Sequence, residues 1–211
     1  MAMTNSPDNN ATALRERLKQ RRDAQNHHDK SRGALLIRGR LYTWVATNQT
    51  RLKEHGLPLI QHIAAFWSLP SEPALQPLLR QWVEEEGFSV SLPIVTDADA
   101  PLQFRIWTPD APMQEGPYGI QEPIGEPAPL PDVILVPTLG FTRSGDRIGY
   151  GKGYYDRTLA DLRSREHSFT SLGIAWATGD LSNDNYTPAA HDQKLDGILT
   201  DKGWPMPAPE I

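Results

Sequence analysis

The sequence predicts a single α/β domain: a largely parallel sheet flanked by helices. Two features carry that expectation. Short apolar runs of strand length alternate with segments of helical periodicity from residue 63 onward. The chain also has 211 residues, enough for one domain with a substantial core. Residues 1–10, "MAMTNSPDNN", are polar without an apolar stretch. They read as a disordered tail rather than a signal peptide, which leaves 11–211 as the domain.

Residues 11–25 are dense in Arg, Lys and Glu, with Leu14 and Leu18 four apart, as in a solvated helix with a thin apolar stripe. Ala34, Ile37, Leu41, Trp44 and Val45 give 33–54 a stronger helical face, ended by Gly56 and Pro58. "IAAFWSL" (63–69) reads as a buried strand. Ser71 is then placed to cap a helix with Pro73 in its first turn and Gly87 as its stop. "FSVSLPIV" and "LQFRIW" alternate as strands do, Pro93 marking an end or an edge. Residues 108–131, dense in Pro and Gly, read as a long segment without regular structure. "DVILVP" (132–137), "SLGIAWA" (171–177) and "DGILT" (196–200) complete the strands, with "YYDRTLADLRSR" as a helix.

Composition narrows function. With no cysteine, thiol catalysis and thiolate metal sites are excluded. A net charge of −5 argues against a nucleic-acid partner, and no apolar run is long enough to span a membrane. The expectation is a cytoplasmic monomer acting on small molecules.

The chemistry concentrates in "DRIGYGKGYYDRTLADL" (146–162). Gly149, Gly151 and Gly153 alternate, Lys152 sits inside the loop, and a helix follows. Bare glycines let successive N–H groups turn toward an anion, and the helix N-terminus adds its own free donors. With Arg147 and Lys152 this suits a phosphate cradle; the plainer reading of the same glycines is a flexible hairpin. Asp156 beside it is the kind of carboxylate that holds Mg²⁺. The spacing matches neither of the common nucleotide-loop fingerprints.

"VPTLGFTRSGDRIGYGKGYYDRTL" resembles the signature of the 5-formyltetrahydrofolate cyclo-ligase family: a VP strand end, a G/A-F-D/T turn, then R-x-G-x-G-x-G-Y/F-Y-D. Four further blocks occur in the family's order: Leu14-Arg15, "SLPSEP" with Glu72, "GPYGIQEP" (116–123) and "HDQKLD" (191–196). The resemblance implies ATP- and Mg²⁺-dependent conversion of 5-formyltetrahydrofolate to 5,10-methenyltetrahydrofolate. It also implies site roles. Arg15, Arg147, Ile148, Gly149, Tyr150, Gly151, Lys152, Gly153, Tyr154 and Tyr155 would contact ATP, with Lys152 and Tyr154 catalytic. Glu72, Tyr118, Gly119 and the Tyr150–Tyr154 stretch would contact the folate, and Asp156 and Asp192 would hold the metal. Two positions where the family usually carries a cation, one on the first helix and one after the proline of the second strand, are here Ala11 and Ile94.

Read from the residues alone, several of these positions have plainer meanings. Glu72 suits a helix's first turn, and Asp192 a turn cap. Tyr154 or Tyr155 suits a core or rim, and His191 a structural place. Arg15, Arg17, Arg21, Arg22, Arg157 and Lys194 suit solvated faces, as do His27 and His28. Two other functions fit parts of the chain: a folate- or nucleotide-binding regulator without activity, and a sugar-phosphate or CoA enzyme with a similar phosphate loop.

Overall fold

The computed structural model describes residues 7–165 and 167–211, with 7–10 as backbone only. Two long helices open the chain, α1 (Pro7–Asp23) and α2 (His27–Glu54). The tail expected at 1–10 is therefore helical from Pro7; residues 1–6 lie outside the described residues. Asn26 separates the helices by accepting the Asp29 N–H at 2.8 Å, a side-chain N-cap.

Six strands form the main sheet: β1 (His62–Ala64), β2 (Ser89–Ile94), β3 (Gln103–Trp107), β6 (Val133–Pro137), β9 (Thr170–Ala175) and β10 (Gly197–Thr200). Their order is β10-β9-β6-β1-β2-β3, and every neighbour is parallel except the antiparallel β2–β3 pair. From β1 the chain builds outward through β2 and β3, then returns to β6 on the other side and continues to β9 and β10. The order therefore reverses between β1 and β6, and such switch points are where ligands enter open α/β sheets.

Period-two alternation divides the core into two layers. Ile63, Val90, Leu92, Val133, Leu135, Leu172, Ile174 and Leu199 pack under α2 and α3 (Gln76–Glu84). Ala64, Ile134, Val136, Ala175 and Ile198 face the other way, onto Leu159 and Leu162 of α4 (Tyr154–Ser164). A third cluster joins Leu14 and Leu18 of α1 to Leu139, Ile148 and Leu181, which fastens α1 beside the glycine loop.

Two local expectations are corrected. Ser71 caps nothing: α3 starts at Gln76 with Pro77 in its first turn, and Ser68 Oγ accepts the Leu75 N–H at 3.2 Å. The segment at 108–131 carries a small hairpin, β4 (Met113–Glu115) and β5 (Gln121–Pro123), turned by Gly119 at φ +70°. Its return limb bonds to β3, through Ile106 N–H to Glu126 O and Ala128 N–H to Phe104 O at 2.9 Å each, which covers that sheet edge. Pro93 does mark a strand end as expected: it is the next-to-last residue of β2 and lies beyond Ser91, where the pairing with β1 stops. A further hairpin, β7 (Gly140–Phe141) and β8 (Arg147–Ile148), was not foreseen; it leads the chain from β6 into the glycine loop.

One core histidine ties stability to pH. His62 on β1 is buried, its Nε2 lies 2.7 Å from Ser91 Oγ, and its Nδ1 has no hydrogen-bond partner. Burial holds its pKa below the ordinary value, and the Asp132 charge offsets only part of this. A depressed histidine favours the unfolded state once protons bind there, so its contribution is present at neutral pH and lost as pH falls below about 6.5. Denaturant titrations across that window are expected to show falling stability, with a flatter slope for His62→Gln; an unchanged slope would refute this.

Candidate active site

A cleft of about 850 Å³ opens where the carboxyl ends of β1, β2 and β6 meet α1. Each strand end supplies part of the wall. After β1 come Phe66, Trp67, Leu69 and Glu72; β2 gives Pro93 and Val95; β6 gives Pro137 and, through β7–β8, every residue from Arg147 to Asp156. Tyr118, Ile120 and Glu122 enter from the β4–β5 hairpin, Ala11 and Arg15 from α1, and Tyr186 to Asp192 from the loop before β10. One side is apolar and aromatic; the opposite side is made of glycine backbone and charge.

The charged side centres on Arg147, which is 6% exposed. Its Nη2 lies 2.9 Å from Asp156 Oδ2, but off line for a hydrogen bond, so Nη2 and Nε are buried donors without acceptors. The Tyr155 ring lies 5.9 Å from the guanidinium, and its buried hydroxyl is also unpartnered. Burial pushes that phenol far above its ordinary value, with the Glu72 charge adding to it. Native interiors rarely leave such donors unmet. A cleft-lining arginine with two free N–H directions suits an incoming anion.

The glycine loop is held from both flanks. Arg15 Nε donates to Gly149 O at 3.2 Å, and Arg157 donates to Lys152 O at 3.0 Å and to Ala98 O and Ala100 O. A Cβ on Gly151 would stand 3.1 Å from the Arg15 Cζ, and its φ of +88° independently demands glycine. Gly153, at φ +68°, occupies the N-cap position of α4, so the helix's first N–H groups open beside the loop. Lys152 is exposed, its Nζ 5.7 Å from the Tyr118 ring centre.

Across from the loop, Glu72 sits in the turn before α3 rather than inside the helix. Its Oε2 accepts the Leu69 N–H at 2.8 Å, and Tyr150 OH donates to Oε1. Arg22 donates to that same Tyr150 oxygen at 2.9 Å. Burial raises the Glu72 pKa against the opposing pull of Tyr150, Leu69 and Arg22. Burial also pushes up the Tyr150 phenol, and the Glu72 carboxylate pushes it further. Near the mouth, the Tyr118 and Tyr154 hydroxyls lie 2.9 Å apart; that bond is the main cause pushing Tyr154 up to about 12.

A family model for the 5-formyltetrahydrofolate cyclo-ligase family matches residues 7–201. The chain belongs to this family. It is 30% identical over 142 residues to the 5-formyltetrahydrofolate cyclo-ligase of Haemophilus influenzae, covering 62% of this chain and 74% of that one. It is 34% identical over 151 residues to the Mycolicibacterium smegmatis protein of the same name, covering 66% and 73%. The fold is similar to the 5,10-methenyltetrahydrofolate synthetase of Aquifex aeolicus, with a TM-score of 0.69 at 22% identity over 92% of this chain and 91% of that one. The corresponding Mycoplasma pneumoniae structure gives 0.66 at 24% identity, over 90% and 98%.

Most residues singled out from this cyclo-ligase's sequence share the one cleft: Glu72, Tyr118, Arg15, Asp192 and all of Arg147–Asp156 line it. Gly119 does not; it is exposed and turns the hairpin. Ala11 does line the cleft, so a cation at that position would face it. Ile94 is buried, while Pro93 and Val95 on either side reach the cleft. Strand alternation thus points position 94 away from the site.

Asp156 and Asp192 both carry partners. Asp156 Oδ1 accepts the Gln193 N–H at 3.1 Å; Asp192 Oδ2 accepts the Ala189 N–H at 2.8 Å and the Tyr186 hydroxyl at 3.2 Å. Among the described residues no group of three acids or histidines is placed to hold a metal ion. Two carboxylates fit the mode in which Mg²⁺ takes one or two acids and draws its other ligands from phosphate and water.

Several functional positions escaped the sequence reading. Arg22 and Arg157, taken as solvated charges, hold Tyr150 and the glycine loop. Arg17 and Arg21 do remain at the surface, paired with Asp184. Tyr186 joins the Arg147 carbonyl to Asp192. Phe66 and Trp67 had been assigned to a strand's interior. The available signal was that an aromatic pair just past a strand's carboxyl end, at a switch point, belongs to the ligand wall.

Proposed function

We propose that this chain is an active 5-formyltetrahydrofolate cyclo-ligase that closes the 5,10-methenyl ring with ATP and Mg²⁺. The observation that carries the reading is Arg147, a buried guanidinium with two free donors, in the same cleft as the glycine loop and Glu72.

The formyl oxygen is a poor leaving group, so it must first be activated. It attacks the γ-phosphorus and ADP leaves. N10 then closes on the formyl carbon, the C–O bond breaks to release phosphate, and the N10 proton is lost. Arg147, Lys152 and the N–H groups of the loop and of the α4 N-terminus meet the charge that builds on the transferred phosphoryl group. Glu72 accepts paired N–H donors of the pterin side by side, and Phe66 and Trp67 give the ring an apolar face. Asp156 and Asp192 would hold Mg²⁺, which neutralises phosphate charge when bound.

The test is to mix the protein with 5-formyltetrahydrofolate, ATP and Mg²⁺ and follow methenyltetrahydrofolate absorbance. Product is expected only when ATP and Mg²⁺ are both present. Binding of either ligand without product would favour the regulator reading, which the loss of a cation at Ala11 supports. Product without ATP would overturn the phosphorylation route.

A further inference from the structure

Glu122 also lines the cleft, beside Glu72, Asp156 and Asp192, and nothing described above uses it. It lies at the centre of β5 and is 7% exposed. Its Oε1 accepts the Val95 N–H at 2.9 Å, which ties the β4–β5 hairpin to the end of β2. Gly116 makes room for it: any Cβ at position 116 would overlap the Glu122 carboxyl group. Among the described residues no Lys, Arg or His pairs with it, and no protein hydrogen bond reaches Oε2. Oε2 is not sealed from solvent, and Glu122 is among the residues that line the cleft.

A nearly buried carboxylate without a cation is costly unless donors meet it. One backbone N–H satisfies one of its two oxygens. The other remains open in a cleft-lining residue carried by the β4–β5 hairpin, while Glu72 lines the same cleft from the turn after β1, so two acids reach the cleft from different elements. A reduced pterin carries more N–H donors than one carboxylate can take. When Glu72 accepts the amino group and its ring neighbour side by side, an N–H of the reduced ring and the N10–H of the arm remain.

We propose that Glu122 is a second substrate-binding acid, whose Oε2 accepts one of these remaining N–H donors. The inference rests on the cyclo-ligase reading.

Glu122→Gln separates binding from architecture. The amide oxygen still accepts the Val95 N–H and the shape is unchanged, but an NH₂ donor replaces the free acceptor facing the ligand. Titration of 5-formyltetrahydrofolate, read by the fluorescence of Trp67 and the other tryptophans, is expected to give a dissociation constant raised about tenfold or more, since hydrogen bonds to charged groups are the stronger class. ATP titration and the melting temperature are expected to stay at wild-type values. A variant that binds the folate as tightly as wild type overturns the proposal and leaves Glu122 as a hairpin tie. Equal weakening toward folate and ATP also overturns it, because that reports a general loss of cleft structure. If wild-type protein binds no 5-formyltetrahydrofolate, the functional reading fails and this inference falls with it. If wild type binds and converts the folate, only the comparison with the glutamine variant decides.

Discussion

Replacing Arg147 with alanine is expected to cause both a stability loss and a catalytic loss. Arg147 and Asp156 form an ion pair whose side chains are 5% and 18% exposed. Removing one member of such a pair strands the other charge, which typically costs about 3–5 kcal/mol. The denaturation midpoint is expected to fall accordingly. The same change removes two unmet donors from the phosphate side of the cleft. Deleting a single donor aimed at developing charge lowers turnover roughly a hundredfold or more. Arg147→Lys distinguishes the two effects. Lysine keeps the charge beside Asp156 but cannot present a planar fork, so stability is expected to recover much further than activity. A lysine variant with wild-type turnover would show that Arg147 is only structural.

Lys152→Ala is expected to show the opposite separation. Lys152 is exposed, its Nζ lies near the Tyr118 ring, and it forms no ion pair among the described residues. Its loss leaves no charge stranded, so the unfolding curve is expected to match wild type. As the one lysine within the glycine loop, it is free to follow charge onto the transferred group. A fall in kcat of at least tenfold, about 1.4 kcal/mol of transition-state stabilisation, is expected under saturating substrates. Wild-type kcat in this variant would assign the phosphoryl charge to Arg147 and the backbone alone.

The parts of the site legible in the sequence are those coded locally. Alternating glycines, a following helix and strand-length apolar runs each leave a pattern within a short window, and the loop from Arg147 to Asp156 lies where that pattern put it. What could not be read depends on which distant groups meet. Arg22 looks like its neighbours Arg17 and Arg21, yet they pair with Asp184 outside the cleft while Arg22 reaches Tyr150. Ser71 carries the same capping chemistry as Ser68, and only the path of the 69–72 turn decides between them. Ile94 was read as a vacancy on the nucleotide side. One residue's shift along a strand changes its face, and the count from Pro93 and Val95 puts its side chain in the core.

The bond between Tyr150 and Glu72 has a consequence for discrimination. The free protein already supplies a donor to each oxygen of that carboxylate, one from a phenol and one from a backbone amide. Each oxygen keeps a second lone pair, so a ligand donor reaching Oε1 either shares that oxygen with the Tyr150 hydroxyl or displaces it. Arg22 keeps hold of that hydroxyl's oxygen, so the displaced ring has a resting place. A molecule offering one donor trades like for like and gains little. A molecule offering two adjacent donors makes one bond more than it breaks. The resident tyrosine thereby favours molecules that bring two adjacent donors over solitary amines and alcohols.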